Sequence, residues 1–358
     1  IIVFPELCVT GYTCADIFLQ PFFINKAQEA LCEIVRESAN TDIISIVGLP
    51  ISVGGSLFNC AVVIGQGKIY GAVPKTHLPN YGEFYEARWF TSGNALQKQT
   101  IEICNQTVPI GNLLFASNNV VMGVEICEDL WVPIPPSSYQ TLNGANLIAN
   151  LSASNDMVGK HSYLTSLIKQ QSARTLSAYI YASCGYGEST TDVVFGGSSF
   201  IAENGSILAE GNRFQMQSYM TIADIDIEKI QAQRLHQTTF TSQTNTPQYQ
   251  IVDIQLRTDN SNFEINRRFE PYPFIPNDDR TMSERCNEIF SIQVSGFAQR
   301  FVASHSKCAV IGISGGLDST LALLVAVRTM DKLGLSRRNV IGVTMPGFGT
   351  TGRTYNNA

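Results

Sequence analysis

At 358 residues, with 44% hydrophobic and 15% charged side chains, the chain has the composition of a globular protein large enough for two domains. Its net charge of −6 argues against nucleic acid as a main partner, and no apolar stretch approaches the about 20 residues that span a membrane. The nine cysteines are odd in number and form no CxxC pair, so they read as free thiols in a reducing cytoplasm.

The first residue is Ile1, inside an apolar run, so the chain reads as truncated rather than led by a signal peptide. In IIVFPELCVTGY, residues 1–12, a β-rich run stops at Pro5 and presents Glu6 at the edge of a sheet; a solvated carboxylate in a turn is the alternative. Residues 15–38 have the apolar spacing of an amphipathic helix, and 43–49 and 58–64 read as buried strands, the second entering a hairpin at 56–70. That hairpin leads into GAVPKTHLPNYGEFYE, residues 71–86, where Lys75 follows Pro74, and Tyr81 and Glu83 come soon after. Residues 111–126 supply two more strands. They end in GVEICEDLWVP, residues 123–133, so Cys127 is expected at a sharp turn where a buried strand stops.

A lone buried cysteine is commonly an inert small hydrophobe. Here Glu125, Glu128 and Asp129 would raise its thiol pKa, so a nucleophilic role needs a nearby cation. Beyond it, 146–151 reads as a strand ending at Ser152-Ala153-Ser154-Asn155, 160–177 as a helix, and 178–184 as a strand. An Asn-Gly hairpin at Asn204-Gly205 follows within 196–211.

A carboxylate, an ammonium and a thiol thus each stand just past a predicted strand, in the chain order Glu6, Lys75, Cys127. The combination resembles the nitrilase, or carbon–nitrogen hydrolase, superfamily over roughly residues 1–235. The resemblance implies a four-layer αββα sandwich in which Glu6 is general base, Lys75 stabilises the oxyanion and Cys127 forms a thioester, with Glu83 as a second, orienting carboxylate. An amide carbonyl asks for those residue types: a strong nucleophile, a base, and a cation where negative charge develops. In the glutamine-hydrolysing branch, Tyr81, Ser154 and Lys160 match the positions that hold the α-amino and α-carboxylate groups of glutamine. Ser154 reads equally as a helix N-cap.

Polar, proline-containing sequence over 241–276 reads as a linker between a domain at 1–240 and another at 277–358. Residues 282–304 have helical spacing, with Ile289, Ile292, Phe297, Phe301 and Val302 on the apolar side. In 307–334 a buried strand, a Gly-containing turn and a helix start aim backbone N–H groups at one point. No Walker A motif is present. The string SGGLDST resembles the pyrophosphatase loop of enzymes that adenylate a carbonyl oxygen. By that resemblance Gly312, Ile313, Ser314, Gly315, Gly316, Leu317, Asp318, Ser319 and Thr320 bind ATP, and Asp318 reaches Mg²⁺; a capped βα turn is the alternative. A strand at 339–344, parallel to the one before the loop, completes the start of a Rossmann-like parallel-sheet domain of the adenine nucleotide alpha hydrolase type.

Taken together the α/β chain resembles the glutamine-dependent NAD synthetases, truncated at both ends. The resemblance implies a cytoplasmic ligase of NAD biosynthesis, homo-oligomeric, with no nucleic-acid or membrane partner. Ammonia from glutamine would amidate ATP-adenylated deamido-NAD⁺, giving NAD⁺, AMP and pyrophosphate. Two other readings stay open: an amidase joined to a different adenylating ligase, and a binding or assembly piece without catalysis.

Overall fold

The computed structural model describes residues 1–358 except 97–98, 191–192, 241, 243–245, 257–263, 268, 277, 346, 349–350 and 358. Two compact units emerge, Ile1–Arg267 and Arg268–Ala358, dividing the chain inside the expected linker.

In the first unit β1 (Ile2–Val3) precedes a 3-10 turn (Ala15–Leu19) and α1 (Pro21–Glu37). The helix expected over 15–38 is therefore split. Pro21, lacking an N–H, serves at the first helical position, and it biases Gln20 to extended backbone, which Gln20 adopts (ψ 113°). Then come β2 (Ser45–Val53), β3 (Ser56–Gly65), β4 (Lys68–Pro74), β5 (Gln99–Ile103) and β6 (Gln106–Ile110). They continue into β7 (Leu113–Ser117), β8 (Val120–Ile126), α2 (Pro136–Leu142), β9 (Leu147–Ser152) and α3 (Lys160–Arg174). The unit closes with β10 (Ala178–Ser183), β11 (Ser199–Glu203), β12 (Ser206–Glu210), α4 (Ile227–His236) and β13 (Gln250–Asp253).

The strands form two sheets, ordered β1-β2-β3-β4-β6-β5 and β12-β11-β10-β9-β8-β7-β13. Side-chain alternation explains how they stack. Along β3, Ala61 and Val63 meet Val124, Ile126 and Leu151 of the second sheet, whereas Phe58, Cys60, Val62 and Ile64 face the layer of α1 with Leu31 and Val35. The outer face of the second sheet is covered by α3 through Leu164 and Ile168. The order of layers is therefore helix, sheet, sheet, helix, as the family resemblance implied.

Two expectations are corrected here. Within 241–276, residues Gln250–Asp253 are not linker but β13, paired parallel to β7 from Gln250↔Leu113 to Asp253↔Ala116; the polar sequence before it hides an apolar Ile251-Val252 step. Nor are all nine cysteines free. Cys32 on α1 and Cys104 in the β5–β6 turn are joined, their Cα atoms 5.3 Å apart, because α1 crosses the sheet face beside that turn. A pair separated by 72 residues leaves no trace in local spacing.

The second unit comprises α5 (Asp279–Ala303), β14 (Ala309–Gly312), α6 (Leu317–Leu333), β15 (Val340–Val343) and α7 (Gly352–Asn357). Asp278 caps α5 by accepting from the Thr281 N–H, and β14 and β15 pair in parallel. Phe301, Ala309, Ala326 and Met330 form its core, with Phe297 against them. Of the apolar face expected on α5, Ile289, Ile292 and Val302 are instead exposed. No helix among the described residues is long and apolar enough to cross a membrane.

Candidate active site

Three strand ends converge in the first unit. Glu6 lies in the turn after β1, where Leu7 takes a left-handed backbone (φ 52°). This turn passes so close to β2 that a Cβ on Gly48 would lie 2.3 Å from the Leu7 nitrogen, so only glycine admits it there. Lys75 is the first residue past β4, its N–H donating to the Asn59 carbonyl of β3 at 2.7 Å. Cys127 is the first residue past β8 and has φ 45°, a strained backbone that persists where surrounding structure over-determines it.

Lys75 Nζ donates to Oε1 of Glu6 and to Oε1 of Glu86, each at 2.7 Å, with all three side chains buried. Each acceptor oxygen has a second donor: Asn59 Nδ2 at 2.6 Å for Glu6, and the Tyr12 hydroxyl at 2.8 Å for Glu86. The remaining oxygen, Oε2, of both carboxylates is buried without a partner among the described residues. One side of each carboxylate is thereby fixed, and the other is left able to accept a proton.

Burial alone would lower the Lys75 ammonium, but Glu6 and Glu86 hold it well above its ordinary value. Burial pushes the Glu86 carboxyl up to about 7, with Lys75 opposing and Glu6 reinforcing that shift. Burial also raises the Cys127 thiol; Glu6 and Glu86 add to the rise, while Lys75 and the Ala153 backbone oppose it. Burial and the two carboxylates thus favour the neutral thiol over the thiolate, so a nucleophilic role calls for a base. The acidic neighbours flagged in the sequence are turned elsewhere. Glu125 accepts from the Ser137 N–H at 2.8 Å and from the Tyr179 hydroxyl, Glu128 from the Tyr81 hydroxyl at 2.8 Å, and Asp129 from backbone N–H groups.

The carboxylate that joins Glu6 on Lys75 is Glu86, while Glu83, expected as a second, orienting carboxylate, pairs with Asn155 instead. The chain between Glu83 and Glu86 enters a short 3-10 turn (Glu86–Arg88) that carries Glu86 inward and leaves Glu83 at the rim. There Glu83 accepts from Asn155 Nδ2, whose own Oδ1 accepts from Lys160 Nζ at 2.6 Å. Lys160 opens α3 and lies 5.2 Å from the Trp131 ring centre, a cation–π contact. Burial lowers its ammonium, and charge on Cys127 and Glu83 works against that. Tyr81 is exposed and Ser154 nearly buried, its N–H donating to Ser183 Oγ at 3.1 Å. Ser154 caps no helix, since the residue before α3 is the left-handed Gly159 (φ 85°). Tyr81 and Lys160 both lie close enough to Cys127 and Glu128 to feel their charge. Sequence reasoning missed Glu86, Tyr12, Asn59 and Asn155; the Glu at i+3 from Glu83 was the available signal for the first.

In the second unit the loop from Gly312 to Thr320 turns from β14 into α6 through Gly315 at φ 75°. Ser314 and Ser319 hydroxyls stand 3.1 Å apart, and Ser319 and Thr320 both donate to the Gly316 carbonyl at 3.0 Å. Asp318 lies exposed in the first turn of α6, as does Leu317. The free N–H groups of that helix start and the exposed hydroxyls suit an anion.

Comparison with known proteins finds relatives of both units. A carbon-nitrogen hydrolase family model matches residues 1–235, and an NAD synthase model matches 291–358. The chain is 40% identical over 365 aligned positions to the glutamine-dependent NAD(+) synthetase of Mycobacterium bovis, covering 99% of this chain but 54% of that protein. It therefore spans about half the length of that relative. Among solved structures, it resembles a glutamine-dependent NAD(+) synthetase from Cytophaga hutchinsonii (TM-score 0.55, 22% identity, 99% of this chain and 56% of that one). It also resembles a carbon-nitrogen hydrolase from Helicobacter pylori G27 (TM-score 0.53, 19% identity, 68% and 83% covered). With that family model matching residues 1–235 and two stacked sheets that bring Glu6, Lys75 and Cys127 to their strand ends, the chain belongs to the carbon-nitrogen hydrolase family.

Proposed function

We propose that the first unit hydrolyses the side-chain amide of glutamine and that the protein uses the ammonia to make NAD⁺. The observation carrying this is the buried Lys75 held between Glu6 and Glu86, each with a free Oε2, beside the strained turn of Cys127. Glu6 Oε2 takes the thiol proton as sulfur attacks the amide carbon. Lys75 then stands where negative charge develops on the carbonyl oxygen. The proton on Glu6 passes to the departing nitrogen, the C–N bond breaks, and ammonia leaves a thioester on Cys127. Water attacks the thioester, giving its proton to Glu6; the C–S bond breaks, and glutamate departs as the thiol is restored. Lys160 suits the α-carboxylate of glutamine, and Glu128, joined to Tyr81, suits its α-ammonium. Glu83 orients Lys160 through Asn155, and the Ser154 hydroxyl adds a polar contact.

The loop from Gly312 to Thr320 would hold the phosphates of ATP, which adenylates the nicotinic acid carboxylate of deamido-NAD⁺ before ammonia displaces AMP. Among the described residues no cluster of three or more His, Cys, Asp or Glu could cage a metal. One exposed carboxylate, Asp318, with hydroxyls beside it, fits Mg²⁺, which brings water and phosphate as its other ligands. Mg²⁺ when bound would offset phosphate charge. A homo-oligomer working in the cytoplasm completes the proposal.

The test supplies the enzyme containing this chain with ATP, deamido-NAD⁺ and glutamine labelled at its amide nitrogen. Label should enter the nicotinamide group, and Cys127→Ala should abolish glutamate release while free ammonia still supports synthesis. Glutamate release by the alanine variant would overturn the assignment.

A further inference from the structure

Lys75 and Cys127 come from different sheets. Lys75 follows β4 and Cys127 follows β8, and no strand ladder joins these two. Between the sheets lies apolar packing, with Val73 near Val124 and Ile126. Such packing is non-directional and sets no register. Catalysis across that gap nevertheless needs the nitrogen and the sulfur held to within a fraction of an ångström.

Of the carboxylates that bridge it, Glu128 reaches only Tyr81 and Glu83 only Asn155, whereas Asp129 holds the backbone next to both reacting side chains. Asp129, in the 3-10 turn Cys127–Leu130, accepts through Oδ2 from the Ile126 N–H at 3.0 Å and the Thr76 N–H at 3.4 Å, and through Oδ1 from the His77 N–H at 2.8 Å. These donors are the residue before Cys127 and the two residues after Lys75. Asp129 is 1% exposed. A carboxylate that capped its own turn would need the Ile126 N–H alone; the bonds to Thr76 and His77 reach the other sheet. Resting on the proposed roles of Lys75 and Cys127, we infer that Asp129 is a positioning residue that sets the Lys75 to Cys127 separation by tying the two strand ends together.

Asp129→Asn keeps the shape but offers one acceptor oxygen, and its NH₂ confronts an N–H. Two quantities are read, both per titratable Cys127 thiol so that misfolded protein does not count. The first is glutamine turnover, where kcat should fall about 10²-fold with KM changed far less. The second is the rate of Cys127 alkylation by iodoacetamide against pH, resolved by mass spectrometry. Its profile, set by Glu6, Lys75 and Glu86 around the sulfur, should be displaced in the variant. This second arm needs no glutamine, so it tests Asp129 even if the glutaminase reading fails through an inactive wild type. If the asparagine variant gives no folded protein, Asp129→Ser, which keeps one acceptor and buries no charge, is measured in the same way. An unchanged alkylation profile together with a kcat within about threefold of wild type, whatever happens to the melting temperature, would reduce Asp129 to a turn cap and overturn the inference.

Discussion

Lys75 Nζ stands 2.7 Å from Oε1 of Glu6, and neither side chain reaches solvent. The pair leaves Glu6 Oε2 for proton transfer, so Glu6→Gln, which preserves shape but removes basicity, should lower glutaminase kcat by about 10² to 10⁴-fold. KM should move little. Lys75 keeps Glu86 as a partner in this variant, which limits the cost of leaving a buried charge unpaired. Glutamate release is the measurement, and a nearly normal kcat would remove Glu6 from the chemistry.

Glu86 makes a prediction about stability. Its carboxyl is raised from 4.5 to about 7 by burial, so between these values the folded protein holds a proton that the unfolded chain has released. The stability contributed by this group is complete below pH 4.5 and is lost as pH rises through about 7. Glu86→Gln removes the titration. Urea midpoints measured across that window should therefore show the wild-type advantage shrinking as pH rises, whereas parallel curves would mean that Glu86 titrates normally.

Lys160 carries a specificity prediction. A charge-assisted bond to the α-carboxylate suggests that Lys160→Met raises KM for glutamine about ten- to hundredfold with kcat largely kept. The comparison substrate is 4-aminobutanamide, which is glutamine without that carboxylate. Both proteins should process it equally well; an equal loss on both substrates would assign Lys160 to folding or to the reacting centre.

Glu6, Lys75 and Cys127 were legible because each ends an apolar run at a proline or a turn, and a strand end in a stacked-sheet fold has one place to go. Glu86 was not. It lies in irregular chain, where no period says which of two glutamates points inward, and the 3-10 turn at Glu86–Arg88 decides it. Strand β13 escaped because its four residues follow a long polar stretch, and their identity as a strand depends on the exposed edge of β7. The Cys32 and Cys104 link depends on tertiary proximity alone. The apolar face of α1, by contrast, is legible in the spacing of Leu31 and Val35.

The last prediction concerns the loop of the second unit. Gly315 at φ 75° makes the turn that brings the N–H groups at the start of α6 and the Ser314 and Ser319 hydroxyls to one side, and Asp318 is the carboxylate within that stretch. If the loop holds ATP phosphates and Asp318 a Mg²⁺ ion, Asp318→Asn removes a hard anionic ligand without changing the shape of the turn. In the enzyme containing this chain, NAD⁺ synthesis should then be lost with glutamine and with free ammonia alike, while glutamate release measured alone persists. As a first-turn acid on α6, Asp318 also favours the helix start by about 0.3–1 kcal/mol, so a small drop in melting temperature is expected in either case. Loss of both half-reactions together would indicate a folding defect. Unchanged synthesis with only the small thermal shift would leave Asp318 as a helix-start residue and move the metal ligand elsewhere.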